Sequence, residues 1–162
     1  MLFRLETFPL SDVRLTQSPF KHAEDLDIRY LLGLDPDRLL APYLKGAGLE
    51  PKADNYTNWE NTGLDGHIGG HYVSALAYMY AATGNEEIKQ RLDYMLSEWK
   101  RPQDAAGDGY LCGAPNGRKI WDAVSKGDIQ ASSFGLNGGW VPLYNIHKTY
   151  AGLRDAYVDR KS

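Results

Sequence analysis

Apolar residues along the chain recur mostly at spacings of three and four, and glycine and proline punctuate the intervals, a pattern that predicts a succession of helices. The chain opens with an extended segment through Leu15. Val13 and Leu15 alternate with Asp12, Arg14 and Thr16, which predicts a short strand or a draped arm. Ser18-Pro19 then supplies an N-cap followed by proline at the first helical position. The helix it starts carries Phe20, Ala23, Leu26, Tyr30 and Leu31 and ends near Gly33. Asp35-Pro36 repeats the start signal for a shorter helix holding Leu39, Leu40, Tyr43 and Leu44. Pro42 lies inside it and predicts a kink or a break. Residues 46 to 66 are rich in Gly, Pro, Asn and Asp and read as a loop, longer than most ordered connections and therefore a candidate for function.

The stretch from Asn58 to Gly84 is the one around which the rest is organised. Its second half reads as an amphipathic helix with His67, His71, Ser74 and Tyr78 on one stripe. Val73, Leu76, Ala77 and Tyr80 fall on roughly the opposite side, so the polar stripe is expected to face away from the core. Gly69 and Gly70 loosen the first turn, and Gly84 provides a C-terminal stop. Asn85 caps the next helix, with Glu86 and Glu87 in its first turn and Ile88, Leu92, Met95, Leu96 and Trp99 on its buried face; Pro102 follows its basic end. A joint as short as Gly84-Asn85 makes the two helices an antiparallel hairpin. After a turn-rich passage, Ile120, Trp121 and Val124 predict a short helix closed by Gly127, and residues 128 to 139 read as loop. A last helix starts near Pro142, buries Ile146, Tyr150, Leu153 and Tyr157, and runs into the charged tail Asp159-Arg160-Lys161.

Strand signals are too sparse for a central sheet, so the class is mainly α. A faint internal repeat aligns His71 with His147 and Ala75 with Ala151, as repeated helical hairpins in a solenoid or a closed toroid would. The 162 residues make a single domain (1–162), with 43% apolar and 24% charged residues and a net charge of −3. That charge gives no electrostatic case for nucleic acid or an anionic membrane surface. The N-terminus has no continuous apolar run, so neither a secretory signal nor a membrane span is read there, and a cytoplasmic location is expected. Cys112 is the single cysteine, which rules out an intrachain disulfide and a cysteine-based zinc cluster from this chain alone.

Eleven Tyr and four Trp suit an aromatic-lined carbohydrate site, and equally suit an ordinary core. His67 and His71 have the i, i+4 spacing of a helical metal pair but lack the intervening glutamate of a zinc protease, so pocket lining or helix packing is the better reading. Asp104 and Asp108 among glycines lack the ligand set of a calcium loop and read as a turn.

Three segments, GHIGGHYVSALAYMYAATGN, RLDYMLSEWKRPQDAAGDGYL and NGGWVPLYNIHKTYAGLRDAY, carry a resemblance. From about Pro9 to Tyr157 the chain resembles the N-terminal part of the β-L-arabinofuranosidase-like glycoside hydrolases, family 127 and the related family 146. The resemblance implies part of an (α/α)6 toroid, helical hairpins in a ring that binds sugar at one end. It also implies removal of terminal arabinofuranose with retention, by a cysteine nucleophile beside a zinc ion held by glutamate and cysteines. Those catalytic and metal-binding residues belong to later hairpins of the family domain. Cys112 sits in a different motif and receives no catalytic role, so no catalytic residue, metal ligand or cofactor is assigned to this chain. Twelve helices of ~10–14 residues need roughly 120–170 helical residues, and the chain supplies about five helix candidates. An incomplete toroid is therefore expected, the opening portion of a catalytic domain and inactive alone.

His147, in WVPLYNIHK, matches a histidine that lines the family's arabinose site. Trp59 could offer its face to the C–H surface of a sugar and Glu60 its carboxylate to hydroxyls; His67, His71 and Tyr144 complete the substrate-binding candidates. The partner implied is a carbohydrate ending in L-arabinofuranose or a related sugar. The alternative is a non-catalytic carbohydrate-binding or interaction protein of the same fold. Apolar faces left by missing hairpins, with Leu153 and Tyr157 among them, predict self-association.

Overall fold

A computed structural model describes residues 7–159. Six α-helices dominate the described residues: α1 (Pro19–Gly33), α2 (Pro36–Gly46), α3 (His67–Thr83), α4 (Glu86–Ala106), α5 (Gly117–Ser125) and α6 (Pro142–Asp159). The mainly-α class is as the periodicity predicts. From Arg160 onward the charged tail lies outside the described residues, as do residues 1–6 of the opening segment.

Helix starts follow their sequence signals. Ser18 Oγ accepts from the Lys21 amide, Asp35 from the Asp37 amide, and Asn85 from the Glu87 and Ile88 amides, satisfying donors that the first helical turn leaves free. Gly84 ends α3 in the left-handed region at φ 67°, where a side chain would be strained.

Of the short strand or draped arm expected over residues 12–16, the structure has the arm: a 3-10 turn at Leu10–Asp12 leads into it, and Arg14 Nη1 ties it down by donating to the Ala81 carbonyl at 3.2 Å. Three local expectations are corrected. Pro42 does not break α2, and Pro102 does not end α4, which runs on to Ala106. Both prolines are buried, and packing of the ring outweighs one missing backbone hydrogen bond. Residues 128–139 are not plain loop. They hold a meander of two-residue antiparallel strands, β1 (Ala131–Ser132), β2 (Gly135–Leu136) and β3 (Gly139–Trp140), in the order β1-β2-β3. Too short to carry an alternating pattern, these strands left no period-two signal.

The third correction concerns burial. Helix α6 buries Asn145, Thr149, Gly152, Asp155 and Ala156, whereas Tyr150 and Tyr157 are exposed and Ile146 and Leu153 are half-buried. Helix α1, for which no buried face was assigned, exposes Phe20, Leu26 and Tyr30 and buries Leu31. The apolar stripe chose the wrong face of α6 because the partner surface there is made of glycine and small side chains.

The main core lies between α2, α3 and α4, where Leu39, Leu40, Tyr43 and Leu44 meet Val73, Leu76, Ile88, Leu92, Met95 and Trp99. Across from it, α6 packs on α3. Gly70 abuts Lys148 and Thr149, Val73 abuts Gly152, and Ser74 Oγ donates to Asp155 Oδ2 at 2.8 Å. Contact positions rise together along both helices, so α3 and α6 run parallel, with α4 part of the return between them. The two helices aligned by the faint repeat thus stand side by side with their N-termini at one end. Parallel neighbours separated by a return helix are the arrangement of a toroid-type stack of hairpins.

Candidate functional site

The loop preceding α3 is shaped by side chains that close on its own backbone. Lys45 Nζ donates to Asn55 Oδ1 at 2.8 Å, and Asn55 Nδ2 donates to the Glu60 carbonyl and to Asp65 Oδ1. Asp65 Oδ2 in turn accepts from the Gly63 amide at 2.9 Å. The loop ends at Gly66, with φ 91° and no room for a side chain: a Cβ would stand 2.7 Å from Gly113 Cα.

Gly66 has no side chain with which to cap α3, and Glu60 serves instead. Its carboxylate accepts from the Gly66 amide at 2.9 Å and the Ile68 amide at 3.1 Å, placing a negative group at the positive end of the helix. His67 Nδ1 lies 2.6 Å from Glu60 Oε1 and 2.7 Å from the Leu64 carbonyl. Two acceptors at one ring nitrogen require that Nδ1 carry the proton, which leaves Nε2 as the atom available to a ligand. Glu60 is 4% exposed and spends its oxygens on these three donors, so it orients His67 and caps α3 rather than facing solvent.

Around His67 the remaining candidates converge. His71 Nε2 lies 3.0 Å from the Tyr144 hydroxyl, joining α3 to α6. Ring centroids are 6.0 Å apart for His67 and Tyr144, 6.3 Å for His67 and His71, and 6.4 Å for His67 and Trp59. Trp59 is 59% exposed, in a 3-10 turn (Asn58–Asn61), and with Tyr30, Leu39, Tyr56, His67 and Ile68 it lines a cavity of about 260 Å³. Burial first, and then the positive Lys148, push the His71 imidazolium toward losing its proton. Lys148 Nζ stands 4.9 Å over the Tyr144 ring.

Five of the six candidates, Trp59, Glu60, His67, His71 and Tyr144, are thus brought together. His147 is on the same helix as Tyr144 but exposed; it enters none of these ring contacts, and its influence on His71 is electrostatic. The polar stripe read on α3 is split, since His67 is buried while His71 and Tyr78 are exposed.

Sequence reasoning passed over Asn145. Fully buried on α6, it donates to the carbonyls of Leu64 (3.2 Å) and Asp65 (2.6 Å), the first of which also holds His67. Tyr43 does similar work from α2, its hydroxyl donating to the Gly66 carbonyl and meeting Thr149 Oγ1 at 3.2 Å. The available signal was a polar side chain at the a/d-like spacing Asn145, Thr149, Gly152, which reads as a surface until its partner is known.

Cys112 is buried beside Asn145 Oδ1, and burial pushes its thiol up, away from the reactive thiolate. Among the described residues no group of three or more His, Cys, Asp or Glu stands close enough to hold a metal. Asp108 is engaged by Arg118, whose guanidinium holds its carboxyl down to about 2. Among the described residues no helix is long and apolar enough to cross a membrane.

A family model described as the catalytic domain of β-L-arabinofuranosidase, GH127, matches residues 12–160. No curated protein matches the chain.

Proposed function

The chain belongs to the family of glycoside hydrolase family 127 β-L-arabinofuranosidase catalytic domains, and on that premise we propose that it supplies the sugar-binding side of an arabinofuranoside site. The observation that carries this reading is the convergence of Trp59, His67, His71 and Tyr144 where the N-terminal ends of parallel helices α3 and α6 meet.

Each group has a role its geometry allows. Trp59, exposed at the edge, offers a flat face to the C–H side of a furanose ring. His67 Nε2 pairs with a sugar hydroxyl, because Nδ1 is committed to Glu60 and Leu64. The pair His71–Tyr144 can donate or accept, since either hydrogen-bond direction leaves a hydroxyl lone pair or proton for the ligand. His147, exposed one turn along α6 from Tyr144, extends the same rim. Glu60 is a positioning residue in this scheme and does not contact the sugar.

Bond cleavage is not assigned to these residues. Retaining hydrolysis needs a nucleophile and a proton donor on opposite sides of the anomeric carbon. Glu60 is saturated with hydrogen bonds and Cys112 is buried with a raised thiol pKa. The proposal is therefore recognition of a terminal arabinofuranose, with no step routed through zinc.

Calorimetric titration of the chain with methyl β-L-arabinofuranoside tests it. Saturable binding is expected, weakened about tenfold by His71→Ala, the loss of roughly 1.4 kcal/mol of hydrogen bonding. Absence of binding, or identical affinity in that variant and in Tyr144→Phe, would overturn the reading.

A further inference from the structure

Helix α6 carries an apolar stripe that the core covers only in part. Leu143, Ile146, Tyr150, Leu153 and Tyr157 recur at intervals of three, four, three and four residues, the spacing of a seam between two packed helices. Leu143, Tyr150 and Tyr157 are 65%, 44% and 64% exposed, and Ile146 and Leu153 are half-buried. The helix is already seated by its other side, where Asn145, Thr149, Gly152 and Asp155 are buried. The stripe is ~21 Å long at 1.5 Å per residue and stands as a ridge on the surface.

A groove of matching kind lies between α1 and α3. Leu15, Phe20, Tyr30, Ala75, Tyr78 and Met79 line a concave surface of about 620 Å³. Phe20 and Tyr30, its aromatic walls on α1, are 75% and 67% exposed. They stand roughly 15 Å apart along that helix, so the groove suits a helix of several turns. On α3, Ala75 and Met79 point well away from Gly70 and Ser74, which face α6. Helix α6 therefore cannot fill the groove of its own copy.

Charge selects the occupant. Glu24 and Asp27 also line the groove. Glu24 is held by Lys21 at 2.7 Å, whereas Asp27 is exposed and has no hydrogen bond or ion pair among the described residues. Beside the ridge stands Arg154, whose side chain is 73% exposed and reaches Asp155 Oδ1 at 3.1 Å. A second α6 would bring the same positive charge to the stripe, so α6 is poorly matched to itself. An acidic apolar groove is its complement.

We propose that the groove between α1 and α3 receives α6 of a second copy of this chain, with Arg154 meeting Asp27. The contact joins unlike surfaces, so every dimer still offers one groove and one ridge, and association runs head to tail until a ring closes. Tyr30 also lines the cavity beside Trp59, so a seated helix borders that cavity. The inference goes beyond the sugar-binding reading and does not depend on it.

Sedimentation velocity of the full chain over a concentration series tests it. The unaltered chain should pass from monomer to dimer and larger species as concentration rises. Asp27→Lys and Arg154→Glu, both at exposed positions, should each weaken association about tenfold. An equimolar mixture of the two should regain it, because each contact between unlike copies again pairs opposite charges. Tyr150→Glu, at the centre of the stripe, should weaken association about a hundredfold, with helical content by circular dichroism unchanged. A monomer throughout, association that survives Tyr150→Glu, or a mixture no stronger than its parts overturns the proposal. Association lost in Tyr150→Glu but unmoved by Asp27→Lys marks α6 pairing with itself and overturns it too.

Discussion

The two faces of α3 are held in opposite ways. Toward α2 and α4 it meets large apolar side chains: Leu76 packs among Leu39, Leu44, Ile88, Leu92 and Met95, and Trp99 tilts against Tyr43 with ring centroids 5.0 Å apart. Toward α6 it meets backbone. Gly70 and Gly152 let the helices approach until a methyl group would collide, Val73 lies against Gly152, and beside them a part-buried hydrogen bond joins Ser74 to Asp155. The first face gains from apolar area removed from water. The second gains little area per residue and depends on shape and on paired polar groups. The apolar face therefore sets whether the chain folds, and the glycine seam sets where Tyr144 and Asn145 stand relative to His67.

Truncating the apolar side should break this division most visibly. Trp99→Ala removes the largest fully buried side chain, and a loss of about 3–5 kcal/mol is expected. In urea denaturation followed by circular dichroism, all helices should melt together at a lower midpoint. A change under about 1 kcal/mol would show that the core does not carry the fold.

A methyl group placed in the seam should act differently. In Gly70→Ala the added carbon would stand 2.4 Å from the Lys148 carbonyl carbon and oxygen, backbone atoms that cannot turn aside. A cost of about 1–3 kcal/mol is expected, concentrated on α6. Hydrogen exchange should show α6 amides opening ahead of those in α4, and the His71–Tyr144 contact should be lost. Uniform loss of protection in both helices would mean that the seam and the core are one cooperative unit.

Acidification probes the seam most gently. Burial and the nearby Lys148 lower the His71 pKa below its ordinary 6.5. Between 6.5 and the lower folded value, the unfolded chain binds more protons than the folded one, so the contribution of His71 to stability is complete above 6.5 and is lost as pH falls through the folded value. Proton NMR of the imidazole should give a midpoint below 6.5, which His71 would regain on Lys148→Met only in part, because burial is the larger cause. A midpoint above 6.5 would contradict the placement of His71 against α6.

Much of the frame was legible because it rests on local rules. Ser18, Asp35 and Asn85 cap the helices they precede, and Gly84 ends α3, each through bonds made within a few residues of chain. The buried stripe of α4 was legible as well, since Ile88, Leu92, Met95 and Trp99 face a large apolar partner. Pro102 was misread as the end of α4 because its ring is buried by distant elements, as is that of Pro42, which interrupts no helix, and the meander was missed because two-residue strands have no period.

The site divides along the same line. From the sequence alone came the residue types and their order: a tryptophan and a carboxylate before a histidine-bearing helix, and Tyr144 and His147 on a later one. Tertiary structure alone decided that Glu60 turns inward as a helix cap, that Asn145 and Tyr43 hold the loop carbonyls, and that His147 stays outside the ring cluster. A periodic pattern reports which side of a helix is apolar, and that locates the core only where the partner surface is apolar too. Against α3 the partner surface is glycine and backbone, so the polar face of α6 turns inward, and no signal local to α6 could have announced it.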